Sequence, residues 1–526
     1  MFDNKIKRAA RVFIISIFAI IISILTLLSM FNSNYIDINE KSIMVKDNPF
    51  EILLWFIAVV ILVYFTRKFF KTQKEIYFKK LFIIVSLLLL IIGVFVIFKY
   101  DFYPVADQAN ILNIAAAMRN GDYSAFQRLG YVGMCTNQAG IVMILYYLSF
   151  IFGENNYQII QILNILALIG SIYCLCKISK ISFNNNELSN YTLVFLILFF
   201  PLSFYITFVY GNLFGLFFSL FAILMGYNYF ERGKAYYIVL SALGIMVSMM
   251  FKSNYSITFV AMVIFVLCDI FLNKRRSSII LIIILVIGYL GSSIIPNYFV
   301  KKETGIELDA GIPMIAYVEM GLQYSESGPG WFNGYNWNVY QSNGGDVEKT
   351  KNQIKTDLGN TLGYYLENIN DFINFLYNKT ISQWCNADFQ CFWINRNVNF
   401  IQNDILNKYL NIFESVVYLG TLAYIFFTGR HMKLHRLLLP TIFIGGFIFH
   451  LFWEAKGQYT ITYFVLLIPY CVRGLIDMTN EINDNMLRVQ VKKGIANKIK
   501  LIFNMNTVKY ILGLISIVTL ILYYCT

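Results

Sequence analysis

Ionisable residues are scarce in this chain, and a few stand where their chemistry needs a reason. Asp101 and Asp107 bracket the segment Asp-Phe-Tyr-Pro-Val-Ala-Asp, and an alanine-rich stretch from Ala109 to Arg119 follows. A carboxylate so placed can accept a proton from a reacting hydroxyl, or it can cap the helix that starts there. By residue type and position alone, Asp107 reads as a cap and Asp101 as a solvated residue at the end of an apolar run. Lys252, in Phe-Lys-Ser-Asn-Tyr, and Lys456, in Trp-Glu-Ala-Lys-Gly-Gln-Tyr, sit beside long apolar runs. An ionisable group at such a depth is a functional candidate, a cation able to stabilise developing negative charge. The plain alternative is a lysine whose stem lies along apolar surface while its ammonium reaches water, and Glu454 can simply neutralise Lys456.

The elements that must position these residues are set by composition. Of 526 residues, 58% are hydrophobic and 14% charged, and the mean hydropathy is +0.60. Such a chain has too few polar groups to cover a water-facing surface, so lipid is the solvent for most of it. The formal charge of +12 would suggest nucleic acid in a soluble protein. Here the basic residues fall in short loops between apolar runs and act as topology signals, so nucleic acid is excluded as a partner. The first apolar run follows Lys5, Lys7, Arg8 and Arg11 as in a signal peptide, but it is long and lacks a small-residue cleavage site. It reads as an uncleaved span.

Runs long enough to cross the hydrocarbon core occur at 12–30, 51–66, 81–99, 158–176, 191–208, 213–230, 236–251, 255–272, 279–296, 412–428, 435–452, 458–475 and 508–524. The expected fold is all-α, a polytopic transmembrane bundle of about 13 spans. A further apolar piece, 140–152, is too short to span comfortably. With the N-terminus cytoplasmic, the strongly basic loops (67–80, 177–190, 231–235, 273–278, 429–434, 476–507) all fall inside only if 140–152 does not cross. It is therefore read as a helix at the outer surface of a cell membrane. The chain then divides into N-terminal spans (1–99), an outer loop with surface helices (100–157), a transmembrane core (158–296), a large extracytoplasmic loop region (297–411) and C-terminal spans (412–526).

The region 297–411 exchanges Ile and Leu for Asn, Gly, Asp and aromatics, and contains Gly328-Pro-Gly-Trp-Phe-Asn-Gly-Tyr-Asn-Trp337. Its aromatics can form a platform on which sugar rings stack, or a membrane-interface belt. Cys385 and Cys391 share the region and can be paired or free. The other cysteines singled out, Cys174, Cys176, Cys268 and Cys471, are filler within apolar runs. The histidines, His431, His435 and His450, have no ligand-type spacing, and no phosphate loop or dinucleotide fingerprint is present. These absences argue against an ATP-driven pump and a cytosolic nucleotide-sugar enzyme.

In the outer loop the order Asp107, then Gly121-Asp122-Tyr123, then Phe152-Gly153 resembles the C-type (GT-C) glycosyltransferase superfamily, particularly bacterial relatives of protein O-mannosyltransferases and of the lipid A aminoarabinose transferase. The resemblance covers about the first half of the chain, with the rest following in general layout. The late Glu454-Ala-Lys-x-Gln-Tyr459 stretch looks like a motif of related membrane glycosyltransferases. The resemblance implies transfer of a sugar from a polyprenyl-phosphate donor to an extracytoplasmic hydroxyl of a cell-wall polymer, lipid or protein. It makes Asp107 the inverting general base, with Asp101 the second candidate. Asn137, Gln138, Lys252, Glu454, Lys456 and Tyr459 become candidate substrate-binding residues. The chain departs from the family where Gln108 replaces a second acid and Cys135-Thr-Asn-Gln-Ala-Gly140 replaces a Lys-Pro-Pro or His-Pro-Pro segment. No cofactor is implied, and a divalent metal stays open.

Two other classes fit a polytopic chain. A polysaccharide polymerase or ligase would rely on outer arginines and histidines, of which the arginines number few (Arg119, Arg128, Arg396). A lipid or solute transporter would place ionisable residues in mid-span, whereas here they collect at the outer rim.

Overall fold

The computed structural model describes residues 2–71, 75–273, 278–396, 404–428 and 434–491. Eight helices in it are long and apolar enough to cross a membrane, or up to ten if each of two bent pairs counts as one span; three shorter apolar helices accompany them. The chain is a multi-pass helical membrane protein. Twelve of the thirteen apolar runs coincide with helical segments, and the thirteenth, 508–524, lies outside the described residues. With no hydrophobic drive between helices in lipid, close packing falls to small residues. The helices Asp404–Phe427 and Ile468–Val491 cross so tightly that a Cβ added at Gly474 would sit 1.9 Å from the Gly420 carbonyl oxygen.

The run 191–208, expected as one span, is broken. Helix Asn186–Leu198 ends before Pro201, which has no N–H to give a ladder and disfavours the helical conformation before it, and the chain turns by 63°. Backbone freed at membrane depth must find partners. Helix Tyr157–Phe183 supplies them: Gln161 donates to the carbonyls of Phe102 (2.7 Å) and Thr207 (3.1 Å), and Asn164 to those of Ile206 and Phe208 (both 3.0 Å).

Residues 100–157 form helices as their sequence suggests. Asp107–Arg119 stops at Gly121, whose φ of +79° suits glycine, and Asp122 then accepts from the Ser124 N–H at 2.9 Å to start the next turn. Helix Ala139–Phe152 ends at Gly153 and packs against the Asp107 helix, making a 105° angle with the segment before it. Gly140 lets it touch the end of helix Tyr236–Phe251, because a Cβ there would lie 2.3 Å from the Met250 carbonyl oxygen.

Two features differ from the expected all-helical plan. Residues 31–50 contain an antiparallel hairpin, β1 (Asn32–Ile36) with β2 (Ser42–Lys46). The second is within 297–411, where residues 379–392 are buried without interruption, against the helices that carry Tyr418, Phe443, Tyr463 and Phe464.

Candidate functional site

Asp107 occupies the first position of its helix, exposed at one end of the bundle. The cap position belongs to Ala106, which makes no side-chain cap bond and sits at φ 52°, ψ −132°. A non-glycine residue in that region carries strain of order 1–3 kcal/mol. That conformation turns the chain into the Asp107 helix. Gln108 is buried, and its Oε1 accepts from the Val209 N–H at 2.9 Å, tying the helix to the 208–211 hairpin. A second acid at this position would have to bury its charge.

The hairpin presents Tyr210. Its hydroxyl accepts from Gln138 Nε2 at 2.8 Å and lies 3.4 Å from the Tyr131 hydroxyl, with the Asp107 carboxylate near enough to Tyr131 to act on it electrostatically. Lys252 rests on the Tyr210 ring, Nζ 4.0 Å from its centroid, with the Tyr459 ring 5.6 Å away. Among the described residues no carboxylate lies within ion-pair distance of Lys252. Burial lowers its ammonium to about 7, with Asp107 and Glu454 acting to raise it and Lys456 to lower it.

On the other side, Glu454 is buried and takes Lys456 at 3.3 Å and the Tyr459 hydroxyl at 3.2 Å. Lys456 is paired a second time, with Glu40 at 3.7 Å. Burial opposes the Lys456 charge, but Glu454, Glu40 and Asp107 outweigh it and hold the ammonium above its ordinary value. The loop bearing this pair is fixed by Trp453, stacked between Tyr317 (5.1 Å) and Phe449 (4.8 Å).

The structure thus brings Asp107, Gln138, Lys252, Glu454, Lys456 and Tyr459 to one place. Asn137 is exposed next to Gln138. Asp101 does not join them: its Oδ1 accepts from the Tyr157 hydroxyl at 2.5 Å and from Gln158 Nε2 at 3.2 Å, at the edge of a separate polar depression. Glu40, Tyr131 and Tyr210 belong to the group and escaped sequence reasoning. Trp331, in the aromatic segment, is no open platform; it is fully buried and donates to Ser382 Oγ at 3.0 Å. Cys385 and Cys391 are both free thiols and buried. Among the described residues no set of three or more His, Cys, Asp or Glu side chains converges as metal ligands.

An apolar groove of about 320 Å³ is lined by Ile141, Leu145, Val209, Gly211, Phe214 and Phe251 among others. Two of its lining residues, Val209 and Gly211, flank Tyr210 in the chain, and a third, Phe251, precedes Lys252.

No family model matches the chain, and no curated protein matches it. Among solved structures it is similar to the crystal structure of ArnT from Cupriavidus metallidurans bound to undecaprenyl phosphate, at 12% identity and a TM-score of 0.31, over 76% of this chain and 78% of that one.

Proposed function

We propose that the protein is a membrane glycosyltransferase of the C-type, moving a sugar from a polyprenyl phosphate to a hydroxyl on the extracytoplasmic side of a cell membrane. The observation that carries this reading is that Asp107 acts electrostatically on Lys252, which has no ion-pair partner among the described residues, and that an apolar groove lined by Val209, Gly211 and Phe251 borders the same stretches of chain. A groove of that character suits an isoprenoid tail, and a lysine with no carboxylate suits the phosphate that follows it. The order of Asp107, Gly121-Asp122-Tyr123 and Phe152-Gly153 supports the same assignment.

The chemistry follows from the positions. The acceptor hydroxyl gives its proton to the Asp107 carboxylate as its oxygen attacks the anomeric carbon. The bond from that carbon to the phosphate oxygen breaks, its electron pair leaves with the polyprenyl phosphate, and Lys252 meets the growing negative charge. Attack from the face opposite the phosphate inverts the anomeric centre, so one essential carboxylate is enough. Gln138, Tyr131 and Tyr210 orient the two ends of the site. The acceptor is a wall polymer, a lipid or a protein.

The test is incubation of the purified protein with radiolabelled polyprenyl-phosphate sugars, following loss of the lipid donor. Asp107→Asn should insert and fold normally, since position 107 is not the helix cap, yet lower transfer by roughly 100-fold or more, the scale of general base catalysis. Asp101→Asn should retain activity. Transfer from a nucleotide sugar with no polyprenyl phosphate present, or normal turnover by Asp107→Asn, removes the reading.

A further inference from the structure

The hairpin between the first two helices reaches the site through a residue whose backbone is costly. Its turn is Asp37-Ile-Asn-Glu-Lys41, in which Asp37 Oδ1 accepts from the N–H groups of Asn39 (2.8 Å) and Lys41 (2.7 Å). Glu40 closes this turn at φ 63°, the left-handed region where hairpins of this kind favour glycine or asparagine. The turn itself gives no reason for glutamate. The reason lies in the side chain, which is 3.7 Å from Lys456 Nζ and accepts from Gln390 Nε2 at 3.2 Å.

The hairpin is also locked in register with the rest of the site. Asn34 N–H donates to the Cys385 carbonyl (2.8 Å), Asn34 Nδ2 to that of Ser382 (3.0 Å), and Ser42 N–H to that of Ser327 (2.8 Å). Ala455 N–H donates to the Gly330 carbonyl at 2.7 Å. Ile36, Trp331 and Ala455 then bury together in a small core of their own. Three distant pieces of chain are thereby fixed relative to one another: the hairpin with Glu40, the glycine-rich turn with Phe332, and the loop with Glu454 and Lys456. The Phe332 ring stays exposed, with Lys456 Nζ 5.8 Å from its centroid. An open aromatic face beside two carboxylates and an ammonium is the equipment for a polyhydroxylated ring: one apolar surface, several acceptors and a charged donor.

We infer that this corner, beside Asp107 and Lys252, is the sugar headgroup subsite, and that Glu40 is its positioning residue, holding the Lys456 ammonium between itself and Glu454. The inference rests on the transferase reading for its ligand, but the hold on Lys456 does not.

Glu40→Gly separates the two parts. Relieved of the left-handed glutamate, the variant should melt at or above the wild-type temperature. Its KM for the polyprenyl-phosphate sugar should rise about tenfold while kcat stays within about threefold, the mark of a lost binding contact rather than of lost chemistry. Phe332→Ala should give the same split. Independently of turnover, acylation of Lys456 by a water-soluble N-hydroxysuccinimide ester, read by mass spectrometry, should be severalfold faster in Glu40→Gly and near wild-type in Glu40→Asp. Equal acylation rates in wild type and Glu40→Gly overturn the role of Glu40. Unchanged KM in an active, well-folded Glu40→Gly overturns the subsite. A wild-type protein that consumes no polyprenyl-phosphate sugar removes the transferase reading and the sugar subsite with it, and the acylation rates still decide whether Glu40 holds Lys456.

Discussion

Lys252 is the residue whose environment makes the sharpest demand. Burial lowers its ammonium to about 7, yet its proposed task, meeting a phosphate, needs the charged form. The free protein therefore loses the competent state as pH rises through about 7, and kcat/KM, which reports on the free enzyme, should fall on that alkaline side. Lys252→Arg should flatten the limb, because a guanidinium keeps its charge throughout the range; a limb that persists unchanged in that variant would assign it elsewhere. Stability moves the other way. An unfolded lysine titrates near about 10.4, so between pH about 7 and that value the unfolded chain holds the extra proton, and folding gains as pH rises through the window. Lysines at membrane rims were visible in the sequence because they interrupt apolar runs. Tyr131, Tyr210 and Glu40 were not, since aromatic residues abound in this chain and a glutamate in a polar turn has no visible partner until the fold supplies Lys456. Asp101 shows the converse: six positions from Asp107, it is drawn to Tyr157 and Gln158 by the turn between them.

At the scale of elements, hydropathy located the long helices and gave no sign that the segment around 379–392 would be buried. Its Asn, Gln, Asp and Lys read as loop, but a polar segment can be buried wherever the surrounding helices satisfy it. Here the Tyr418 hydroxyl donates to the Trp384 carbonyl (2.8 Å), that of Tyr205 to the Phe389 carbonyl (2.6 Å), and Asn386 to Asp388 (2.9 Å). The hairpin was legible in principle, since Asn32, Asn34 and Ile36 alternate inward, but five residues are a weak pattern beside runs of twenty. Helix Ile369–Trp384 carries the telling case. Lys379 is completely buried and donates to the carbonyls of Gly321, Leu451 (3.0 Å) and Trp453 (2.8 Å). It is a clamp on the loop that leads to Glu454 and Lys456. Lys379→Met fills similar space but leaves these carbonyls without their donor, at about 1–3 kcal/mol for a buried group left unpaired. A thermal unfolding midpoint several degrees lower should accompany reduced transfer, and a variant that melts like wild type would show the clamp to be dispensable.

For the whole molecule, the alternation of basic and neutral loops and the packing of the outer-loop helices bear on a single question of sidedness. At one end of the bundle Arg67 pairs with Glu187 at 2.9 Å and reaches Thr479 and Asn480, drawing three helices together. The Asp107 cluster lies at the other end. Counting helix Ala139–Phe152 as a crossing would move every loop after it to the opposite face, up to a second error that restores the order. The structure packs that helix against the Asp107 helix, with Arg119 pairing with Glu154 at 3.5 Å, and the chain that follows it returns to the end of the preceding long helix, where the Tyr157 hydroxyl donates to Asp101 Oδ1 at 2.5 Å. We propose on this ground that the helix does not cross. Single cysteines at Asn120 and Asn155, both exposed, should therefore react together with a membrane-impermeant maleimide added outside intact cells. A cysteine at Lys234, in a basic loop, should react only after permeabilisation, with the parent protein's own thiols as the background. If Asn155→Cys is protected while Asn120→Cys is labelled, the helix crosses after all, Lys252 and Lys456 fall on the wrong side for Asp107, and a site assembled from all three cannot exist in the membrane.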